Sequence, residues 1–318
     1  MHDIEYARRM NAVLDHIDRH LDQPLDLATL AGVAHFSAYH FHRLFAAWTG
    51  ETLGDYLRRR RLEWGALQLV MQPRLAVTTI ALTVGFGSGE AFARAFKSHF
   101  GATPTAWRAG EAARRASYFA AIGTRRRLPE RNPDQVLSKH DQAGGAAFAD
   151  DGDAYPQQTE TIMDVKIIDL PPVRVAYLRY TGPYGIGIGH FWVNEFDPWM
   201  ISNGLENRTY YGVGLDNPSI TPPDKCRYDA CVEVADDYVP SGKASVMVIP
   251  GGRHAVASFA GSGAQMADAW AELFRDWLPA SGLQCDARPC FERYGPNAAS
   301  GTVPRQLRCE LCIPIKPM

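Results

Sequence analysis

One internal repeat limits what the first third of this chain can become. The stretch LATLAGVAHFSAYHFHRLFAAWTGETLGDYLR is echoed fifty residues later by TTIALTVGFGSGEAFARAFKSHFGATPTAWR. Leu30-Ala31 matches Ile80-Ala81 at an offset of 50. Ser37, Arg43, Phe45, Gly50 and Thr52 then match Ser88, Arg94, Phe96, Gly101 and Thr103 at an offset of 51, so the second copy has one extra residue in its turn. Each copy spells a short helix, a tight turn and a longer helix opened by a serine suited to capping backbone N–H groups. The expectation is a helix-turn-helix, present twice.

Helical periodicity covers about residues 4–110, with Pro24, Gly50, Pro73, Gly85, Gly87, Gly101 and Pro104 cutting the run into short helices. It fails from about 116 to 163, where RRRLPERNPDQ and KHDQAGGAAFADDGDAYPQQ are poor in apolar residues and read as a linker. From 164 onward alternation at period two appears, as in VKIIDLPPVRVAYLRY, RYDACVEV, ASVMVIP and LRCELCIPI. A second repeat lies here: RVAYLRYTGPY…FDPWMISNGLE…RYDACVEV resembles RHAVASFAGSG…FRDWLPASGLQ…LRCELCIPI. Trp199 stands as far before Gly204-Leu205 as Trp277 before Gly282-Leu283. Two βαββ units of this kind pair into an antiparallel sheet with helices on one face, leaving the other face to form a cleft. The chain therefore reads as multi-domain: an all-α double helix-turn-helix over 1–115, a linker over 116–163 and an α+β domain over 164–318.

The length of 318 residues suits two domains, and 46% apolar with 21% charged residues excludes wholesale disorder. No apolar run approaches the ~18 residues of a membrane span, and MHDIEYARRMNAV lacks the apolar core of a secretion signal, so a cytoplasmic protein with reduced cysteines is expected. Residues 1–131 have a net charge of +6 and residues 132–318 a net charge of −8. Such a split suggests two modules with different partners, the basic one facing a polyanion.

A recognition helix must present polar side chains from one face to base edges. In the first copy Ser37, Tyr39, His40, His42 and Arg43 lead the helix while Phe41, Leu44 and Phe45 face inward. In the second, Ser88, Gly89, Glu90, Arg94 and Lys97 lead, with Phe92 and Phe96 inward. The run Arg58-Arg59-Arg60-Arg61 spreads around the helix between the copies, so one or two of the four are expected on phosphate and the rest on Glu63 or in solvent; Lys97 and Arg108 are further phosphate candidates. In the second half Glu292 interrupts the otherwise apolar PCFERYGP. A buried carboxylate there needs a cation or donor. Cys309 and Cys312 fall on opposite faces of a strand, which argues against zinc. GIGIGH lacks the strand and acid of a dinucleotide fingerprint, and no catalytic triad is readable. Neither metal nor cofactor is expected.

Residues 8–109, above all IALTVGFGSGEAFARAFKSHFGATPTAWR, resemble the DNA-binding domain of the AraC/XylS family of bacterial transcription regulators. Residues 165–315, through YTGPY, YGVGLDNP, CRYDACVEV, FERY and CELCIPI, are similar to the GyrI-like effector-binding domain of the Rob and BmrR type. The resemblance implies two recognition helices in adjacent major-groove turns of double-stranded DNA, with RNA polymerase as a candidate partner. It also implies a pocket for an apolar or cationic small-molecule effector around a buried acid, a position that Glu292 occupies. Tyr184, Trp192, Tyr211 and Tyr228 are the aromatic residues placed to line that pocket. The alternatives are a small-molecule hydrolase and a gyrase-type protein-interaction module.

Overall fold

The computed structural model describes residues 2–110, 164–286, 288–296 and 307–317. The linker expected over 116–163 lies outside them.

The helical part runs α1 (His2–Arg19), α2 (Leu27–Val33), α3 (Ala38–Thr49), α4 (Leu53–Met71), α5 (Val77–Thr83) and α6 (Gly89–Phe100). The repeat is plain in the caps. Ser37 and Ser88 each accept a backbone N–H at the start of their helix, and Gly50 and Gly101 end the two helices in the left-handed region. The turns share a left-handed residue at the same step, fifty positions apart, and the extra residue of the second copy falls after it. His35 takes φ 54° in the first turn, and Gly85 takes φ 85° in the second, close against the Leu21 carbonyl, where a Cβ would collide. Helix α4 is shared. Its first half, with Leu53, Tyr56 and Leu57, closes a core with α1, α2 and α3. Its second half, with Leu62, Ala66 and Leu69, closes another with α5, α6 and Trp107.

The second part has nine strands: β1 (Val165–Leu170), β2 (Val173–Thr181), β3 (Tyr210–Gly214), β4 (Arg227–Glu233), β5 (Ser245–Ile249), β6 (Gly252–Gly261), β7 (Leu283–Cys285), β8 (Phe291–Tyr294) and β9 (Leu307–Pro317). Helical segments Ile186–Phe191, Trp192–Phe196 and Asp197–Ser202 run on as one helix, α7. Gly263–Glu272, Leu273–Trp277 and Leu278–Ala280 run on as α8. Each of these helices has a π turn inside it. The sheet order is β1-β6-β9-β8-β3-β4-β2-β5, every pair antiparallel, with β7 on the end of β9. The expected repeats are visible in it: β2-α7-β3-β4 and β6-α8-β8-β9 meet at the β3–β8 pair, each with one extra edge strand. Helix α7 covers Ala176, Leu178, Tyr228, Ala230 and Val232, and α8 covers Ala255, Ala257, Leu311 and Ile313. The same face of the sheet thus bears both helices.

The opposite face has its own cluster, with Val175, Tyr177, Tyr211, Val213, Phe291 and Cys312. The cleft expected away from the helices exists there, about 340 Å³ lined by Tyr211, Phe291, Arg293 and Glu310 among others. Cys309 and Cys312 do divide between the two faces.

The two parts do not stand apart. On the rear of the sheet, Arg227 bonds Asp18 of α1 at 2.8 Å and Asp216 at 2.8 Å. Arg60 of α4 bonds Asp18 at 3.1 Å and also Asp216. Arg179 holds Asp229 through two bonds of 2.7 Å and reaches Asp15 at 2.8 Å, while Tyr177 donates to Asp15. Lys225 donates to the Thr49 carbonyl at 2.7 Å. Ile220 packs on the second helix-turn-helix core and Met71 on the α8 core. The two parts are thus docked directly on one another.

Candidate functional site

On α3, Tyr39, His42 and Arg43 share one face and are exposed, with Tyr39 at 73%. Glu90, Arg94 and Lys97 do the same on α6, at the spacing of one helix face. Tyr39 and Arg43 stand where Glu90 and Arg94 stand in the second copy. Ser37, Ser88 and His40 have local duties: the Ser37 hydroxyl is 3.0 Å from the His40 ring, and Ser88 caps Ala91 at 3.1 Å. Gly89 belongs to packing, since a Cβ there would lie 2.7 Å from the Thr78 methyl of α5. The arginine run is mostly spent inside the protein. Arg59 bonds Glu51 at 2.8 Å and Glu63 at 3.0 Å, Arg60 joins the network above, and Arg61 donates to the Leu21 and Gln23 carbonyls. Arg58 is exposed. Arg108 donates to the Leu75 carbonyl.

Glu292 lies at the centre of the sheet on β8, on the face that bears the helices. Register decides its neighbours: it is opposite Gly212 on β3 and Leu311 on β9. A Cβ at Gly212 would strike both the Tyr228 hydroxyl and the Glu292 carboxylate, so this glycine opens the space that the acid fills. Three neutral donors surround it. The Tyr228 hydroxyl donates to it at 2.9 Å, the Tyr294 hydroxyl at 3.0 Å and the Trp270 indole at 3.4 Å. Trp192 of α7 donates to the Tyr228 oxygen at 3.3 Å and packs 5.8 Å from the Tyr294 ring. Tyr184 meets Tyr228 edge-on at 6.1 Å. Burial pushes the Glu292 carboxyl up, against the pull of the three donated bonds, and among the described residues no cation is paired with it.

The structure therefore assembles Glu292, Tyr184, Trp192 and Tyr228, and separates Tyr211. Tyr211 is opposite Arg293 rather than Glu292, and alternation along β3 sends it to the rear cleft. The acid itself faces the helices, whereas the cleft is on the opposite face. Trp270 and Tyr294 were missed. Both had a signal: Trp270 follows Trp192 by the 78 residues that separate Trp277 from Trp199, and Tyr294 is two residues beyond Glu292 on the same strand face.

Comparison with known proteins fits both halves. A helix-turn-helix domain model matches residues 30–110, and a GyrI-like small molecule binding domain model matches residues 163–316. Transcriptional regulator Rob of Salmonella typhimurium is 28% identical over 320 residues, covering 98% of this chain and all of that protein. SoxS of Escherichia coli K12 is 38% identical over 92 residues, 29% of this chain and 85% of that one. The SPbeta prophage-derived regulator YosT of Bacillus subtilis is 32% identical over 155 residues, 48% of this chain and all of its own length. The chain belongs to the AraC-type helix-turn-helix transcriptional regulators. In this one, a GyrI-like small-molecule binding domain follows the DNA-binding domain, and the hydrolase and gyrase-type alternatives are not favoured. Among the described residues no helix is long and apolar enough to cross a membrane, and no group of three His, Cys, Asp or Glu side chains could hold a metal.

Proposed function

We propose that this regulator reads duplex DNA through Tyr39, His42 and Arg43 on α3 and Glu90, Arg94 and Lys97 on α6, and that it answers a cationic or donor-bearing apolar ligand held at Glu292. The observation that supports the ligand class is a largely enclosed carboxylate whose partners are all neutral. Such a group is costly to bury as a charge, and a cation entering between the rings offsets that cost. Trp192, Trp270, Tyr228 and Tyr294 supply faces for cation–π contact, and the acid completes one charge-assisted bond. Arg43 and Arg94 suit bidentate bonds to guanine, and Glu90 suits cytosine N4. The protein acts in the cytoplasm on this reading, with RNA polymerase as its further partner, and its role is sensing rather than turnover.

Glu292→Gln keeps the shape and removes the charge. Calorimetry with benzyltrimethylammonium and its uncharged carbon isostere neopentylbenzene tests the assignment. The cation should lose ~1.5–3 kcal/mol, the size of a hydrogen bond to a charged group, and the isostere much less. Equal losses for the two would make the acid structural; no loss for either would place it outside the site.

A further inference from the structure

Strand β4 has two employments. Tyr228 faces the Glu292 site, while its neighbours Arg227 and Asp229 face the rear, toward α1 and α4 of the DNA-binding domain. The main chain between them is held from both sides. The Arg227 N–H donates to the Asp216 carboxylate at 2.8 Å, and its carbonyl accepts from the Tyr184 hydroxyl. Tyr184 also accepts from the Asp216 N–H at 3.4 Å while its ring packs on Tyr228. Arg227 and Asp216 are in turn fixed by Asp18 and Arg60, and Asp229 by Arg179, which Asp15 binds. A shift of the β4 main chain at Tyr228 therefore acts on these groups as well.

We propose that the carboxylates Asp15 and Asp18 of α1 clamp the rear of β4 and so preorganise the effector site on its front, and that effector binding and docking of the DNA-binding domain reinforce one another. The proposal rests on Glu292 and Tyr228 being the ligand site. Its direction follows from preorganisation: a strand held in the binding geometry before the ligand arrives loses less freedom on binding. Coupling between two sites is reciprocal, so the ligand must tighten the clamp by the factor that the clamp tightens the ligand. The output has a physical path. Lys225, two residues before Arg227, holds the carbonyl of Thr49, the last residue of α3. The reading faces of α3 and α6 stay exposed in the docked state. Regulation through this contact therefore sets how firmly α3 and the effector domain are oriented, rather than covering the DNA-reading residues.

Hydrogen exchange on the full chain tests this in two arms. In the ligand-free arm, Asp15→Asn/Asp18→Asn should speed exchange at 183–192 and 227–232 by about fivefold or more, the low end of usual allosteric couplings. Should that double variant fail to fold, Tyr184→Phe keeps the ring and removes the hydroxyl on Arg227, and should speed exchange at 11–19 of α1 similarly. Wild-type exchange at these remote segments would overturn the proposal. In the second arm, benzyltrimethylammonium is added, with its binding followed by calorimetry on the same sample. Protection should spread to 11–19 in wild type and not in the double variant. Binding with protection confined to α7 and β8 would overturn the coupling. Failure of the cation to bind at all would count against the ligand reading of Glu292 and leave the ligand-free arm to decide the clamp.

Discussion

Two buried acids on opposite faces of one sheet, Asp216 and Glu292, respond to burial in opposite ways. On the rear, Asp216 is fully enclosed, but Arg227 and Arg60 are its partners; burial would raise its carboxyl, and the two guanidiniums outweigh that and hold it well below the usual range. Asp18 behaves likewise. On the front, Glu292 meets only hydroxyls and an indole, and burial prevails. Both sites are closely packed, so packing does not separate structure from function here. What separates them is whether the charge has its counter-charge within the chain. A satisfied network fixes geometry, and an acid with neutral donors is left with affinity to spend on something that arrives from outside.

The strongest way to break this contrast is to remove one charge from each face. Asp216→Asn strips buried arginines of their partner and should destabilise the protein by about 3–5 kcal/mol. Glu292→Gln should be close to neutral or slightly stabilising. Denaturant titration of both variants decides it, and similar losses would mean that the front acid is also structural.

The arginines of the helical domain sharpen the same contrast. Exposed Arg43 and Arg94 should each cost ~1–3 kcal/mol of specific DNA affinity when replaced by Ala, if each reads a guanine. Arg58→Ala and Lys97→Ala should each flatten the log–log salt slope by about 0.9 if each contacts a phosphate. Arg59→Ala, whose side chain is committed to Glu51 and Glu63, should lower stability and leave that slope as it was. Binding titrations at several salt concentrations separate the two groups, and a slope change for Arg59→Ala would place it on the DNA.

A smaller effect is expected from pH, with opposite signs for the Asp216–Asp18 pair and for Glu292. Asp216 and Asp18 have depressed folded-state values, so their stabilisation is present above the ordinary 3.8 and lost as pH falls through the folded values. Glu292 is raised, so its contribution is full below 4.5 and lost as pH rises through its folded value. Asp229, raised by burial in spite of Arg179, pulls the same way as Glu292. Affinity for benzyltrimethylammonium should rise over the same pH range, and the rise should vanish in Glu292→Gln. A rise that persists in that variant would move the titration to another group.

Local chemistry made much of this protein legible. The paired serine caps, the left-handed glycines and the one-residue difference between the two turns all follow from residues near each other in the chain. So do the two βαββ units, the exposed faces of α3 and α6, and the oddity of an acid among apolar residues on β8. Period-two alternation says that Tyr211 and Gly212 face opposite ways. It does not say which of them faces Glu292; that is settled by the register between β3 and β8, some eighty residues apart. In the four-arginine run, pairing with nearby Glu63 was legible and is present for Arg59 and Arg60, but the bonds to Asp18, Asp216 and the Leu21 and Gln23 carbonyls were not, because those partners are distant in the chain.

The docking of the domains was the least legible feature. Charge totals make the first part basic and the second acidic, which suggests that arginines come from one and carboxylates from the other. At the interface the parts are largely reversed. The basic part offers Asp15 and Asp18, and the acidic part offers Arg179 and Arg227. These two pairs span 164 and 209 residues. Sequence alone determined the elements, their caps and which residues alternate, because those depend on neighbours within a few positions. The tertiary structure decided which face each acid meets and which cation meets it, because burial and pairing depend on where the folded chain returns.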